Sequence, residues 1–205
     1  MNADQRRRRR RRLRRQAAVL IFLLVAFGLA WFFESQATTT VIFVRYADRA
    51  VDQGENPGLS AAGQARAEEL MRVLVDVDVV AGPDAIFATQ YRFTQETAEP
   101  LAQRLHLPVQ VVDVTDAAGL VKRILHDYKG RIVLVITHTE PLPNLIRELH
   151  GSKKLPEIAA DEYDNLYIVS IPWYGKVKTL RLRYGAPYVH PDVGDAAPTP
   201  APAVQ

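Results

Sequence analysis

An uncharged apolar run near the amino terminus is the feature that most restricts how this chain can fold. Residues 17–33 read AAVLIFLLVAFGLAWFF and contain no charged side chain. As a helix with a rise of about 1.5 Å per residue, the run is roughly 25 Å long, close to the thickness of a bilayer core. Trp31, Phe32 and Phe33 close it where interfacial aromatic residues are found. The run predicts a transmembrane helix over residues 17–34.

The residues on either side of this run indicate its orientation in the membrane and whether it is cleaved. Nine arginines lie within residues 6–15, and basic residues beside a membrane helix stay in the cytoplasm. Residues 1–16 are therefore predicted to be a cytoplasmic tail, and the domain that follows is predicted to lie in the periplasm or outside the cell. Two interpretations stay open: a single-pass signal anchor in the cytoplasmic (inner) membrane, or a signal peptide cleaved after Ala37 to give a secreted domain. Ser35 and Ala37 suit a signal peptidase, whereas the length of the apolar run favours the anchor.

Composition and charge exclude several classes of function. The net charge of +3 comes from the basic tail; without its nine arginines and Asp4, 17 basic and 22 acidic residues remain, so residues 34–205 carry −5. An acidic domain disfavours nucleic-acid binding. The chain has no cysteine, which excludes disulfides and thiolate metal sites. His138 with Glu140 and Asp48 is a weak indication of a metal site because further histidines are missing from the pattern, so we expect neither a metal nor a cofactor.

Between residues 38 and 186, stretches typical of strands alternate with stretches typical of helices. The alternation predicts an α/β domain of three layers, with a mainly parallel sheet and helices on both faces. The last two strands are predicted to form an antiparallel hairpin, whose charges from Lys176 to Arg183 are expected to be solvated. Residues 187–205, rich in proline and alanine, are predicted to be disordered. The predicted strands are residues 38–46, 82–89, 108–114, 131–138, 165–172 and 176–185, and the predicted helices are residues 59–76, 93–106, 117–130 and 141–151.

Ligands of parallel sheets gather at the carboxyl ends of the strands. Three predicted strands end in polar or charged residues there: Arg45-Tyr46, Thr89 to Arg92, and Thr137-His138-Thr139. The sequence therefore predicts a binding or catalytic site that these three stretches share.

In order and spacing, these stretches resemble the histidine phosphatase superfamily, whose members have the phosphoglycerate mutase-like fold. The resemblance runs from about Thr38 to Gly185. Arg45-Tyr46-Ala47-Asp48 stands where members carry Arg-His-(Gly/Ala)-(Glu/Asp). The other matches are LSAAG at residues 59–63 for Leu-(Thr/Ser)-x-x-Gly, TQYRFTQETA at residues 89–98 for Ser-x-x-x-Arg-Thr-x-Gln-Thr-Ala, and THT at residues 137–139 for Gly-His-Ser.

The resemblance implies a phosphoryl site with a nucleophilic histidine, two arginines and a second histidine. Arg45 matches the first arginine and His138 the second histidine. Tyr46, however, stands at the nucleophile position and Phe93 at the second arginine position. Arg92 is one residue early, which turns it by about 100° on a helix. Asp48 and Glu140 are both candidates for the proton donor.

These substitutions favour a degenerate member of the superfamily. A phenol with a pKa of about 10 is mostly neutral and weakly nucleophilic, and loss of one clamp on a transition state costs about 100-fold. We expect a membrane-anchored domain without turnover that binds an envelope protein or a phosphorylated or otherwise anionic small molecule. The alternative is a phosphomonoesterase with a rearranged site, in which Arg45, Arg92 and His138 bind phosphate.

Two roles stay open at the level of single residues. Tyr46 is either the nucleophile or a packing residue whose hydroxyl bonds to His138. Arg45 binds either phosphate or an internal carboxylate such as Asp48.

Overall fold

The computed structural model describes residues 3–34, 38–51, 54–75 and 82–185. The predicted cleavage site after Ala37 and the tail predicted to be disordered, residues 187–205, lie outside the described residues.

The first helix, α1, joins the basic and apolar runs. It spans Ala3–Glu34, and its segment Arg14–Phe32 comprises 19 residues with a mean hydropathy of 1.9 and no burial within the structure. By length and composition α1 is able to cross a bilayer, a property that signal sequences share.

Six strands form one mixed sheet in the order β3-β2-β4-β1-β5-β6. Strands β3, β2, β4 and β1 are parallel to one another. Strand β5 is antiparallel to β1, and β6 is antiparallel to β5. The mixed α/β sheet and its final hairpin are therefore confirmed. The strands are β1 (Thr39–Arg45), β2 (Ala85–Thr89), β3 (Val109–Val112), β4 (Ile132–Thr137), β5 (Asn165–Ile171) and β6 (Lys178–Arg183).

Helices cover both faces of the sheet because successive strand residues point to opposite sides. Ile42 and Val44 pack in one core with α2 and α3, and Val41 and Phe43 pack in a second core with α4 and α5. Burial on both faces is the reason why β1 reads as a continuous apolar run. The helices are α2 (Ala61–Val75), α3 (Arg92–Leu105), α4 (Ala117–Asp127) and α5 (Leu142–Glu148).

The register of the strands defines two ends of the sheet. At one end, which we call the site end, Arg45 of β1 pairs with Thr137 of β4, so the residues that follow both strands meet. At the opposite end, Thr39 at the start of β1 pairs with Ile171 at the close of β5. We call this the α1 end, because the chain from α1 enters the sheet there.

Candidate functional site

Residues from three predicted stretches converge at the site end. Tyr46 follows β1, His138 follows β4 and Phe93 lies in the first turn of α3. The Tyr46 ring lies 4.4 Å from the Phe93 ring and 5.2 Å from the His138 ring, between centroids. The structure thus brings together the three positions that the resemblance matches to the nucleophile, the second arginine and the second histidine.

Two further tyrosines complete an aromatic cluster, defined here as Tyr46, Tyr91, Phe93, His138 and Tyr163. Tyr91 stacks on Phe93 at 5.5 Å with an interplanar angle of 16°, and it lies 5.1 Å from His138. Tyr163 meets Tyr46 edge-on at 6.1 Å. Phe93 is 3% exposed and Tyr46 8% exposed. Aromatic rings therefore occupy the place at which the resemblance implies a phosphoryl group.

Tyr46 packs against two rings of this cluster. Its contacts with Phe93 and His138 are ring contacts. Within the described part of the chain, the Tyr46 hydroxyl makes no hydrogen bond to His138. His138 Nε2 lies instead 3.3 Å from Thr89 Oγ1. Thr89 is the last residue of β2, so this contact links the ends of two parallel strands.

The Arg45 guanidinium is buried and engaged by main-chain oxygens. Its Nη1 donates to the carbonyls of Ala159 (3.1 Å) and Glu162 (2.9 Å), and its Nη2 donates to that of Ala160 (2.7 Å). Its Cζ lies 4.0 Å from the centroid of the Tyr163 ring. The expected partner Asp48 is paired with Arg66 instead, at 2.7 Å. Arg45 therefore holds the segment before β5 against the end of β1.

Buried carboxylates hold the same segment from its other side. Glu162 is 4% exposed and accepts from Arg181 (2.8 Å) and Arg183 (2.7 Å) on β6. Asp164 is 1% exposed and accepts from Arg183 at 2.7 Å. The prediction that all charges from Lys176 to Arg183 are simply solvated is wrong, because β6 runs beside this acidic segment.

Arg92 does not join the site. Its side chain is 61% exposed, and its Nε lies 2.6 Å from Glu96 Oε1. Phe93, the next residue, points into the cluster, as the rotation per helical residue requires. The described structure therefore does not bring Arg92 to Arg45 and His138.

The electrostatics of His138 favour its neutral form. Burial lowers the pKa of this imidazole; the Glu140 carboxylate partly opposes the shift, and Arg45 and Arg49 add to it. A neutral imidazole supplies no positive charge to an anion.

Solved structures share the architecture of this domain. The protein histidine phosphatase SixA in complex with tungstate has a TM-score of 0.55 and 18% identity, over 70% of this chain and 96% of that one. A putative phosphohistidine phosphatase SixA from Agrobacterium tumefaciens has a TM-score of 0.54 and 19% identity, over 73% of this chain and 99% of that one. A mycobacterial glucosyl-3-phosphoglycerate phosphatase has a TM-score of 0.53 and 16% identity, over 73% of this chain and 100% of that one.

The domain has the histidine phosphatase fold. No family model and no curated protein sequence matches the chain.

Within this histidine phosphatase fold, the charged groups named for the site end have other partners or are exposed. Phosphoryl transfer depends on cations placed around the transferring oxygens, and here the Arg45 guanidinium is held by three carbonyls. Asp48 is in an ion pair, and Glu140 is exposed. Among the described residues, no group of three His, Asp or Glu side chains is placed to hold a metal ion.

Sequence reasoning missed two members of the aromatic cluster and the partners of Arg45. Tyr91 lies within the matched stretch TQYRFTQETA, two residues before Phe93, and that spacing of aromatic residues is a usable signal. Tyr163 lies in an irregular segment that no periodicity describes. The partners of Arg45 are backbone carbonyls, which carry no residue identity.

Proposed function

We propose that this chain is a membrane-anchored domain of histidine phosphatase fold that does not turn over phosphomonoesters and binds a protein partner outside the cytoplasm. The observation that carries the proposal is that the Arg45 side chain is already engaged by the protein itself. Its guanidinium donates to three backbone carbonyls, while aromatic rings fill the position next to it.

The chemistry of the site supports a non-catalytic role. A tyrosyl nucleophile needs a lowered pKa and room for in-line attack, whereas Tyr46 is 8% exposed beneath Phe93 and His138. An anion placed there would meet aromatic rings, and the neighbouring Arg45 guanidinium already donates to three carbonyls. A protein partner therefore fits the site end better than a phosphorylated small molecule.

The alternative phosphomonoesterase is disfavoured by the position of Arg92. It needs Arg92 to leave Glu96 and to replace the Phe93 ring, which is 3% exposed. Such a change exchanges a buried aromatic contact for a buried charge, which is costly without a paired carboxylate.

The activity test uses the full chain in detergent with para-nitrophenyl phosphate. We expect no turnover above that of the Tyr46→Phe variant, and no rise in melting temperature when tungstate is added. Two results would overturn the proposal. One is turnover by the wild type that is lost in His138→Ala; the other is a tungstate-dependent rise in melting temperature that is lost in Arg45→Leu.

The proposed anchor is supported by the arginine run that precedes the apolar segment of α1. The absence of cysteine allows single cysteines to report topology. In intact cells we expect a membrane-impermeant maleimide to label Lys122→Cys in the domain but not Asn2→Cys in the tail. Labelling of both sites only after lysis would refute this orientation, and the mass of the mature chain would reveal cleavage after Ala37.

The partner is tested by photocrosslinking from the site end in living cells. A photoreactive amino acid at Glu140, which is exposed beside His138, is expected to give a discrete crosslinked product. The matched control is the same amino acid at Lys122, an exposed position on α4. Equal products from both positions would contradict binding through the site end.

A further inference from the structure

We propose that the α1 end of the sheet lies on the membrane that α1 spans and binds anionic lipid headgroups there. The surface consists of Trp173, Tyr174, Lys176 and Lys178 in and beside the β5–β6 turn, with Lys153 and Lys154 next to it. This inference rests on the proposed membrane span of α1.

Two exposed aromatic side chains form the tip of this surface. Trp173 is 50% exposed and Tyr174 86% exposed, so neither contributes much to the core of the domain. The turn that carries them closes through Gly175, whose φ of +110° suits glycine. The ring of Trp173 lies 5.9 Å from that of Phe32, the last residue of the apolar segment of α1. Tryptophan and tyrosine are the side chains that concentrate at membrane interfaces.

The length of the connection keeps this turn close to the bilayer. Helix α1 ends at Glu34, and β1 begins at Thr39. Five residue steps reach at most about 18 Å when fully extended. Thr39 pairs directly with Ile171, two residues before Trp173. A membrane-spanning α1 therefore leaves the β5–β6 turn within reach of the headgroups, whatever the path of the connection.

Lysines surround the aromatic tip. Residues 172–178 contain two lysines and no acidic residue, and residues 151–156 add Lys153 and Lys154. Glu157 follows directly and lines a cleft with Lys153, so the lysines of the turn carry most of the local positive charge. The two segments adjoin, because the Ser152 amide donates to Thr179 Oγ1 at 2.9 Å. Residues 34–205 as a whole carry −5, so a general attraction to an anionic membrane is not expected. A local basic cluster with interfacial aromatic residues instead favours one orientation.

The orientation has a consequence for the site end. Strand β1 has seven residues, which extend over about 23 Å. With the α1 end on the headgroups, the aromatic cluster faces away from the membrane, toward a partner in the aqueous space.

The experiment uses the full chain in lipid nanodiscs and its two tryptophans, Trp31 and Trp173. Trp31→Phe leaves Trp173 as the reporter, and Trp173→Phe leaves Trp31. Discs contain phosphatidylcholine alone or with phosphatidylglycerol, and a trace of lipid brominated near the headgroup serves as quencher. We expect Trp173 to be quenched more strongly in phosphatidylglycerol discs, and quenching to weaken at high salt.

A charge-matched pair tests the lysines. In the Trp31→Phe background, Lys176→Glu is expected to lower the ratio of docked to free domain at least about fivefold, the effect of roughly one basic residue at an anionic surface. Lys122→Glu on α4 changes the same charge away from this surface and is expected to have no effect.

The outcomes separate this inference from the proposed span. If Trp31 is quenched and Trp173 is not, the docking is overturned and the span stands. If neither tryptophan is quenched, both the docking and the membrane span are overturned. Quenching of Trp173 that is equal with and without phosphatidylglycerol, or equal for the two lysine variants, overturns headgroup binding. If Trp173 is shielded from quenching only in discs that hold two chains, the surface contacts a second copy of the chain. That result also overturns headgroup binding.

Discussion

Replacing Arg45 by leucine gives the sharpest test of how the site end is built. The change removes three hydrogen bonds from a charged donor, each worth about 1.5–3 kcal/mol in favourable cases. The bond to Glu162 is fully buried, whereas those to Ala159 and Ala160 are part-buried, so water replaces some of what is lost. Arg45 Nε is also buried without a partner, and leucine relieves that penalty.

We therefore expect the free energy of unfolding to fall by about 3 kcal/mol. For a domain of this size such a loss lowers the melting temperature by roughly 6–12 °C. The measurement is urea and thermal unfolding of the domain that begins at Thr38. Hydrogen exchange should also accelerate in residues 159–164, because Arg45 fastens that segment to β1.

Arg92→Ala is the matched control, since Arg92 is an exposed arginine beside the same site. Its ion pair with Glu96 has helical i,i+4 spacing and is worth about 0.3–0.5 kcal/mol. An anion-binding Arg45 would behave in the opposite way: leucine would leave stability unchanged, and phosphate would stabilise only the wild type. That pair of results would refute a structural role for Arg45.

Three further predictions concern the surroundings of the site. Gly63→Ala places a Cβ against the backbone oxygen of Asp48, closer than van der Waals contact allows. The free energy of unfolding in urea should therefore fall by about 1–3 kcal/mol, and an unchanged urea midpoint contradicts this contact. Burial lowers the pKa of His138, so the unfolded chain binds its proton more readily and stability falls as pH drops below about 6.5. His138→Gln should flatten that part of the unfolding curve against pH, and equal slopes would refute the shift. Phe93→Ala should cost about 3–5 kcal/mol, whereas Tyr46→Phe should cost less than about 1 kcal/mol, the net value of one hydrogen bond; similar losses in the two unfolding curves would contradict the packing described.

Elements with a strong apolar pattern were predicted closely from the sequence. Strand β4 was expected at residues 131–138 and spans Ile132–Thr137, because its apolar run is buried on both faces. Helix α3 was expected at residues 93–106 and spans Arg92–Leu105. Helix α5 was expected to continue to Gly151, yet it ends at Glu148. The chain turns at His150, whose φ is +58°. A left-handed backbone conformation at a histidine is difficult to predict from the sequence.

The site was predictable where it depends on ordered elements and unpredictable where it depends on irregular ones. Tyr46, Phe93 and His138 lie at or next to the ends of strongly patterned strands and helices, so their meeting followed from topology. Arg45 was correctly assigned to this end, but its partners are carbonyls in an irregular segment. Any residue provides a carbonyl, and no residue type in the sequence points to Ala159 or Ala160.

The aromatic cluster belongs to the core of the domain as well as to the candidate site. Tyr46 and Phe93 belong to the same core as Ile42, Val44 and Leu134, beneath α2 and α3. A histidine and an arginine at these two positions would replace buried rings by groups that need water or counter-charges. The two positions to which the resemblance assigns chemistry therefore contribute to the core here, and their aromatic side chains pack at the end of the sheet. Placing those charges here would loosen the core and require release of Arg45 from its carbonyls, so under the proposed function stability and turnover oppose each other at this site.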